Sequence, residues 1–170
     1  MEKLIVQVSY DPILNMAQQI NLPEEYLDKL IQENHNFPFF FKIEDEAKQE
    51  KFYSSVLQFS SEESIIEIPY VIANQFHHIQ SGSVVEISFL SKILFCKDLQ
   101  IEPMTENFFS IPDSDRFLEE RLSKLSILYH NQIFYITDEN DTTYGIKVLK
   151  IEPDFEETNF SDFNTENQSC

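Results

Sequence analysis

An internal repeat constrains this chain more than any other feature. The stretch from Ile20 to Ile43, INLPEEYLDKLIQENHNFPFFFKI, aligns without a gap on Ile66 to Phe89, IEIPYVIANQFHHIQSGSVVEISF, 46 positions further on. Ile20 falls on Ile66, Leu22 on Ile68, Pro23 on Pro69, Leu30 on Phe76, Phe39 on Val85 and Phe41 on Ile87. Each copy reads as a strand running directly into a helix opened by proline, whose missing N–H and fixed φ suit a first helical turn. A stop tolerant of left-handed backbone follows, Gly82 in one copy and Asn34, His35 and Asn36 in the other, before a second strand. Two matched strand-helix-strand units predict a pseudo-twofold barrel in which each half supplies what the other lacks to close the sheet.

The remaining segments add strands around these units. Residues 3–10, KLIVQVSY, read as a strand that Asp11 and Pro12 end. Glu44 to Lys51 reads as a charged solvent loop. Phe52 to Phe59 reads as a strand that Ser60 to Ser64 turns back toward Ile65 to Ile68 as a hairpin. Lys92 to Leu99 suggests one more strand or a strand and turn, and Pro103 marks a break. Beyond it, Asp113 is the expected N-cap of a helix reaching Leu128, with Leu118, Leu122 and Leu125 as its core stripe. Ile133 to Ile136 and Tyr144 to Ile151 are two further expected strands. The organisation predicted is a barrel over residues 1–102, a small α/β unit over 103–155 and an acidic, mobile tail over 156–170, a mixed β/α+β class.

Charge narrows the partners. Thirty acidic residues against 12 basic give a formal charge of −18, which opposes phosphate backbones and anionic membrane surfaces. A basic protein surface is the favoured partner and nucleic acid is not. The two cysteines, Cys96 and Cys170, lie far apart in the sequence, and no disulfide is expected. No apolar run approaches the roughly 20 residues that span a bilayer, and no signal segment opens the chain. The expectation is a cytoplasmic or nuclear protein without membrane insertion, in which the sequons at Asn140, Asn159 and Asn167 go unused.

Signals for catalysis are weak. Adjacent His77 and His78 point about 100° apart on a helix and do not share an ion. His35 and His130 have no companion ligands at a metal-binding spacing. Two glycines are too few for most phosphate-cradling loops. Gly82-Ser83 is the bond type at which pyruvoyl enzymes of similar small barrels cleave themselves, yet no positioned acid, base or cationic pocket accompanies it. Acid pairs such as Glu24-Glu25, Glu62-Glu63, Glu119-Glu120 and Glu156-Glu157 read as solvated faces. No catalytic, cofactor-binding or metal residue is assigned, and the chain is not read as an enzyme.

The order and wording of the segments resemble the N-terminal domain of the ubiquitin fusion degradation protein 1 family, from about Leu4 to Phe163. Leu22-Pro23, Leu27 and Leu30 follow that family's L-P-x-x-x-L-x-x-L, and Phe37-Pro38 with Phe41 follows Y-P-x-x-F. Residues 55–59, SVLQF, match G-V-L-E-F; residues 67–73, EIPYVIA, match Y-x-P-x-W-M-M; residues 81–87, SGSVVEI, echo E-G-x-x-V-x-V. Phe108 to Ile111 and Leu118-Glu119 with Leu122 follow F-L-D-I and L-E-x-x-L, and Glu152-Pro153 and residues 161–163, SDF, resemble the closing K-P and V-D-F. The resemblance implies a double-psi β-barrel followed by a small α/β roll.

It also implies a function. Members bind ubiquitin and polyubiquitin, pair with a nuclear protein localization protein 4 type subunit, and recruit substrates to the valosin-containing-type AAA ATPase. The chain departs from the family at Val71 and Ile72, in place of Trp-Met, and at Asn131 and Gln132, in place of Gly-Asp. With Gly82 and Gly145 as its only glycines it lacks an F-x-G-x-G-x-x-L docking motif. Phe155, Phe160 and Phe163, spaced by acids, are the candidate substitute docking residues, and the ubiquitin contact surface is unassigned. The expected function is a ubiquitin-chain-binding adaptor without cofactors. The alternative is a structural interaction module that kept the barrel and lost ubiquitin binding.

Overall fold

The structure, a computed structural model, describes residues 2–123, 125 and 127–153. It divides into two compact units between Ser91 and Lys92.

The first unit is a closed barrel. Its elements are β1 (Glu2–Ser9), α1 (Pro12–Ala17), β2 (Ile20–Pro23), α2 (Glu24–Gln32), β3 (Phe40–Asp45), β4 (Lys51–Ser61), β5 (Ile65–Pro69), α3 (Tyr70–Ala73) and β6 (Val84–Phe89). Around the barrel the strands run β1, β5, β2, β4, β3, β6 and back to β1. The pairs β1–β5 and β2–β4 are parallel and the other four antiparallel. Exchanging β1 with β4, β2 with β5 and β3 with β6 maps this set of pairings onto itself. The register agrees: Asn21 pairs with Glu67 and Lys42 with Ser88, each facing its own equivalent 46 positions away. The repeat is therefore a real pseudo-twofold axis, and the architecture is the expected double-psi barrel followed by an α/β unit.

The aligned apolar pairs build the core. Ile20 and Ile66, Leu22 and Ile68, Phe39 and Val85, and Phe41 and Ile87 are all buried. Leu30 is buried too, while its equivalent Phe76 is half-buried and stacks on Phe52 with ring centroids 5.7 Å apart. Burying a side chain of this size stabilises by about 1.5–3 kcal/mol, so matched interior faces give each half a comparable share of the core.

Several local expectations change. Ser60 to Ser64 does not close a hairpin, because β2 lies between β4 and β5. Pro23 and Pro69 are N-caps rather than first helical residues, each the last residue of its strand. The second repeat helix stops at Ala73. Its continuation is replaced by side-chain bonds: Gln80 Nε2 donates to the carbonyls of Ala73 and Phe76, and the Glu50 carboxylate accepts from the backbone N–H groups of His77 and His78. The left-handed stops are present, with φ of 62° at Asn34 and 89° at Gly82.

The second unit holds β7 (Asp98–Pro103), a 3₁₀ turn (Glu106–Ser110), α4 (Ser114–Leu122), β8 (Ile133–Thr137) and β9 (Thr143–Glu152). The strands form one antiparallel sheet in the order β7, β9, β8. The division at Ser91 thus falls ahead of the boundary expected after residue 102. The strand expected over Lys92 to Leu99 is displaced: residues 92–97 are irregular, β7 starts at Asp98 and runs to Pro103, and its partner is β9, which the local sequence does not reveal. Phe108, Leu122, Leu128, Phe134, Tyr144 and Ile146 are among the buried residues of this core, with Leu118 and Leu125 packed on it. The helix ends at Leu122, short of the expected Leu128, where the Ser123 hydroxyl donates to the Glu120 carbonyl and competes with helical bonding. Asp113 stands at the N-cap, yet with φ 50° its carboxylate caps nothing. Cys96 is disulfide-bonded, against expectation, since distance along the sequence does not limit pairing in space. The other cysteine, Cys170, lies outside the described residues.

Candidate functional site

Among the described residues, each unit has a surface feature of note: exposed apolar side chains on the barrel and a cleft on the second unit. On the barrel, parallel pairing of β1 with β5 sets Ser9 beside Pro69, so the next residues, Tyr10 and Tyr70, leave the barrel side by side. Their rings stack with centroids 5.2 Å apart. The chain after Tyr10 turns into α1, where the Asp11 carboxylate accepts from the Ile13 N–H at 2.9 Å and Pro12 occupies the first turn. Leu14 points into the core, which turns Ile13 and Met16 outward, three residues apart on one face. Relative exposures are 73% for Tyr10, 69% for Ile13, 80% for Met16 and 43% for Tyr70.

Asn15 fixes this face. Its side-chain amide donates to the carbonyls of Ser9 at 3.0 Å and Asp11 at 2.8 Å, and its Oδ1 accepts from the Val71 N–H at 3.0 Å. One side chain thus joins the end of β1, the start of α1 and the start of α3. The Gln18 N–H closes α1 on the Leu14 carbonyl at 3.0 Å with Gln18 in the left-handed region.

The second unit contains a cleft of about 630 Å³ whose lining includes Ile111, Phe117, Arg121, Asp138, Thr142 and Tyr144. Asp138 Oδ1 accepts from the N–H groups of Asn140 and Thr142, and Oδ2 from the Tyr144 hydroxyl, all at 2.9 Å. The Thr142 N–H foremost, with the Tyr144 hydroxyl and the Asn140 N–H, holds the Asp138 carboxyl below the usual carboxylate range. The same bond pushes Tyr144 up. Arg121 lies over the Phe117 ring at 5.0 Å, and its Nε is buried with no hydrogen-bond partner among the described residues. An aspartate held ionised by this many donors braces the β8–β9 turn and is a poor proton shuttle.

The residues singled out from sequence do not assemble into a catalytic site. His77 and His78 lie on an irregular segment rather than a helix, and among the described residues no three His, Cys, Asp or Glu side chains are grouped to hold a metal. Gly82 and Ser83 are tied to β1 through the Gly82 N–H to Val6 carbonyl and Val6 N–H to Ser83 carbonyl bonds, both 2.9 Å. The Ser83 hydroxyl accepts from the Gln80 N–H. Glu24, Glu25, Glu62, Glu63, Glu119 and Glu120 are exposed. Phe155, Phe160 and Phe163 lie outside the described residues. The Tyr10, Ile13, Met16 and Tyr70 face is absent from the sequence reading. Its available signal was Asp11-Pro12, which is a helix start as much as a strand stop.

Comparison with known proteins bears on the barrel directly. Residues 3–93 match the family model described as ubiquitin fusion degradation protein UFD1, N-terminal subdomain 1. The chain belongs to the ubiquitin fusion degradation protein 1 family. The match covers both repeat units and the exposed face at Tyr10. Ubiquitin fusion degradation protein 1 of Schizosaccharomyces pombe is 32% identical over 143 residues, 84% of this chain and 41% of that protein. Its Dictyostelium discoideum homolog is 30% identical over 142 residues, 82% of this chain and 42% of that protein. The human protein named ubiquitin recognition factor in ER-associated degradation protein 1 is 22% identical over 136 residues, 80% of this chain and 43% of that protein. The chain spans about two fifths of the length of these relatives.

Proposed function

We propose that this chain is a non-enzymatic ubiquitin-binding adaptor in ubiquitin-dependent protein degradation. The observation that carries the reading is the family match across the whole barrel, in a family whose members are named for ubiquitin fusion degradation and whose relatives include a ubiquitin recognition factor. Charge supports it. A chain of formal charge −18 attracts a basic protein face and repels polyanions. In the finer form of the reading, the adaptor binds ubiquitin chains in the cytoplasm or nucleus. It then delivers their substrates to a valosin-containing-type AAA ATPase together with a nuclear protein localization protein 4 type subunit.

The test is a titration of isotope-labelled chain with mono-ubiquitin and then with a ubiquitin chain, following backbone amide shifts at two salt concentrations. Localised shifts that strengthen with the chain and weaken with salt are expected, since several weak contacts add through effective concentration while exposed charges are screened. No shifts at millimolar ubiquitin would overturn the reading and favour a structural interaction module.

A further inference from the structure

We propose that the cleft of the second unit recognises a carboxylate joined to a phenyl ring, and that its occupant is this chain's own Asp162-Phe163, folded back onto Arg121. This contact stands apart from ubiquitin binding and from the barrel.

The cleft, of about 630 Å³, is lined by the only two arginines of a chain with formal charge −18, Arg116 and Arg121 on α4. They are used differently. Arg116 is paired with Glu120, one turn on, at 3.3 Å. Arg121 forms no ion pair among the described residues, and its Nε is buried without a hydrogen-bond partner among them. Its guanidinium lies over the Phe117 ring, 5.0 Å from the centroid, which leaves the edge of the planar fork for a carboxylate. Two neighbouring carboxylates are already committed. Glu120 is held by Arg116, and both oxygens of Asp138 are taken by the Asn140 and Thr142 N–H groups and the Tyr144 hydroxyl. Asp113 and Glu139 also line the cleft, so a single carboxylate is accepted more readily than a strongly anionic ligand. Ile111, Pro112, Phe117 and Tyr144 supply an apolar wall for a ring attached to it.

Charge selects an occupant that is already attached. A free acidic partner is repelled by the net charge of the chain, whereas a tethered segment meets the cleft at an effective concentration of about millimolar order. Residues 154–170, which continue this unit beyond Pro153, contain five acids, three phenylalanines and no Lys, Arg or His. A carboxylate stands directly beside a phenyl ring at two places there, Asp154-Phe155-Glu156 and Asp162-Phe163.

Reach separates the two. β9 runs from Glu152 back to Tyr144, at the cleft, over about eight residue steps or roughly 26 Å. The Asp154 group lies within about three residues of Pro153, roughly 10 Å of chain, and falls short. Asp162 is about nine residues beyond Pro153, roughly 30 Å when extended, and arrives. The far end of the segment agrees. Cys96 is disulfide-bonded, Cys170 is the only other cysteine, and the 2.7 Å bond from the Lys97 N–H to the Glu152 carbonyl sets Cys96 at the same corner of the sheet. From Asp162 to Cys170 is about eight residues, again roughly 26 Å. With both ends of the segment tied to one corner, its middle is the part that spans to the opposite end of β9.

The experiment follows the isotope-labelled chain by NMR, comparing wild type with Asp162→Asn, Phe163→Ser and Arg121→Gln. Wild type should show nuclear Overhauser contacts from the Phe163 ring to the Ile111 and Thr142 methyl groups. Asp162→Asn and Phe163→Ser should each shift the Phe117, Thr142 and Tyr144 amides together with the Arg121 Nε–H. Asp154→Asn, the same chemical change too close to Pro153 to reach, should leave them in place. Arg121→Gln should reproduce the shifts of Asp162→Asn, with the double variant adding nothing further. The two segment variants leave α4 untouched, so the test stands even where Arg121→Gln disturbs the second unit. Absence of the Phe163 contacts, or cleft resonances unchanged by both segment variants, overturns the proposal. Equal shifts from Asp154→Asn overturn it too, because reach then does not decide the contact. A mixture of labelled and unlabelled chains identifies the source. Contacts that cross between chains assign the cleft to a second copy's segment and defeat the occupant proposed.

Discussion

The two halves of the barrel share a backbone plan and differ in what they show to solvent. Inside, Ile20 and Ile66, or Leu22 and Ile68, are buried alike. Outside, the junction after β1 and β5 presents tyrosines, isoleucine and methionine, whereas the junction after β4 and β2 presents Glu62, Glu63, Glu24 and Glu25. Closure of the barrel constrains the interior equally from both sides, because each half completes the other's sheet. It places no such demand on the junctions. Symmetry that persists inside and lapses outside separates what the fold requires from what it leaves free to vary.

The interior side of this comparison predicts the largest effect. Ile20→Ala and Ile66→Ala should each destabilise by about 2–5 kcal/mol, and by similar amounts, as read from urea unfolding midpoints. A large loss at one and a small loss at the other would show that the halves do not carry the core equally. The junctions should respond unequally. Asn15→Ala leaves the Val71 N–H without its acceptor and should cost about 1–3 kcal/mol, with faster amide exchange at Val71 as the local sign.

Next in size is the cap. Asp11→Ala should cost about 1 kcal/mol through loss of the bond to the Ile13 N–H. Glu63→Ala, at the equivalent position, should stay within about 0.5 kcal/mol because it is an exposed residue of a short turn. Equal costs would mean that the acidic junction is braced in a way its geometry does not show.

The smallest effects concern pH. Glu2 is held below the usual carboxylate range by hydrogen bonds from Lys29 foremost and Tyr26, and Asp138 by the Thr142 N–H foremost and the Tyr144 hydroxyl. A carboxyl lowered in the folded state contributes stability that is complete above its unfolded pKa and lost as pH falls through its folded value. Glu2→Gln and Asp138→Asn should therefore differ most from wild type near neutral pH. The difference should shrink as pH falls below about 4, measured as unfolding midpoints across a pH series. A gap that stays constant down to pH 2 would assign the bonds a shape role independent of charge.

Much of the barrel was legible because its strongest constraint is periodic. Pairs such as Phe41 and Ile87 keep their equivalence in three dimensions, and the repeat pointed to a pseudo-twofold barrel, though not to which strands pair in parallel. What escaped depended on distant partners. β4 and β5 look like a hairpin because a polar turn joins them, and only β2, inserted from far upstream, shows otherwise. The short α3 reflects bonds from Gln80 and Glu50 that no local propensity encodes. α1 has six residues, too few for helical periodicity to register, and its cap was read as the end of β1. The apolar face was invisible for the same reason. Its four members come from two segments that only the β1–β5 register brings together.

The axial pairs have a further consequence. In a dimer of identical halves, a residue on the axis would meet its own copy, so a lysine would oppose a lysine and a glutamate a glutamate, an arrangement that costs stability across paired strands. Here Lys42 faces Ser88, and Glu67 faces Asn21, whose Oδ1 also accepts from the Gln58 N–H. Joining both halves in one chain releases these positions from self-complementarity. A charge can then sit on the symmetry axis with a neutral neighbour, something a homodimer with the same plan is forbidden.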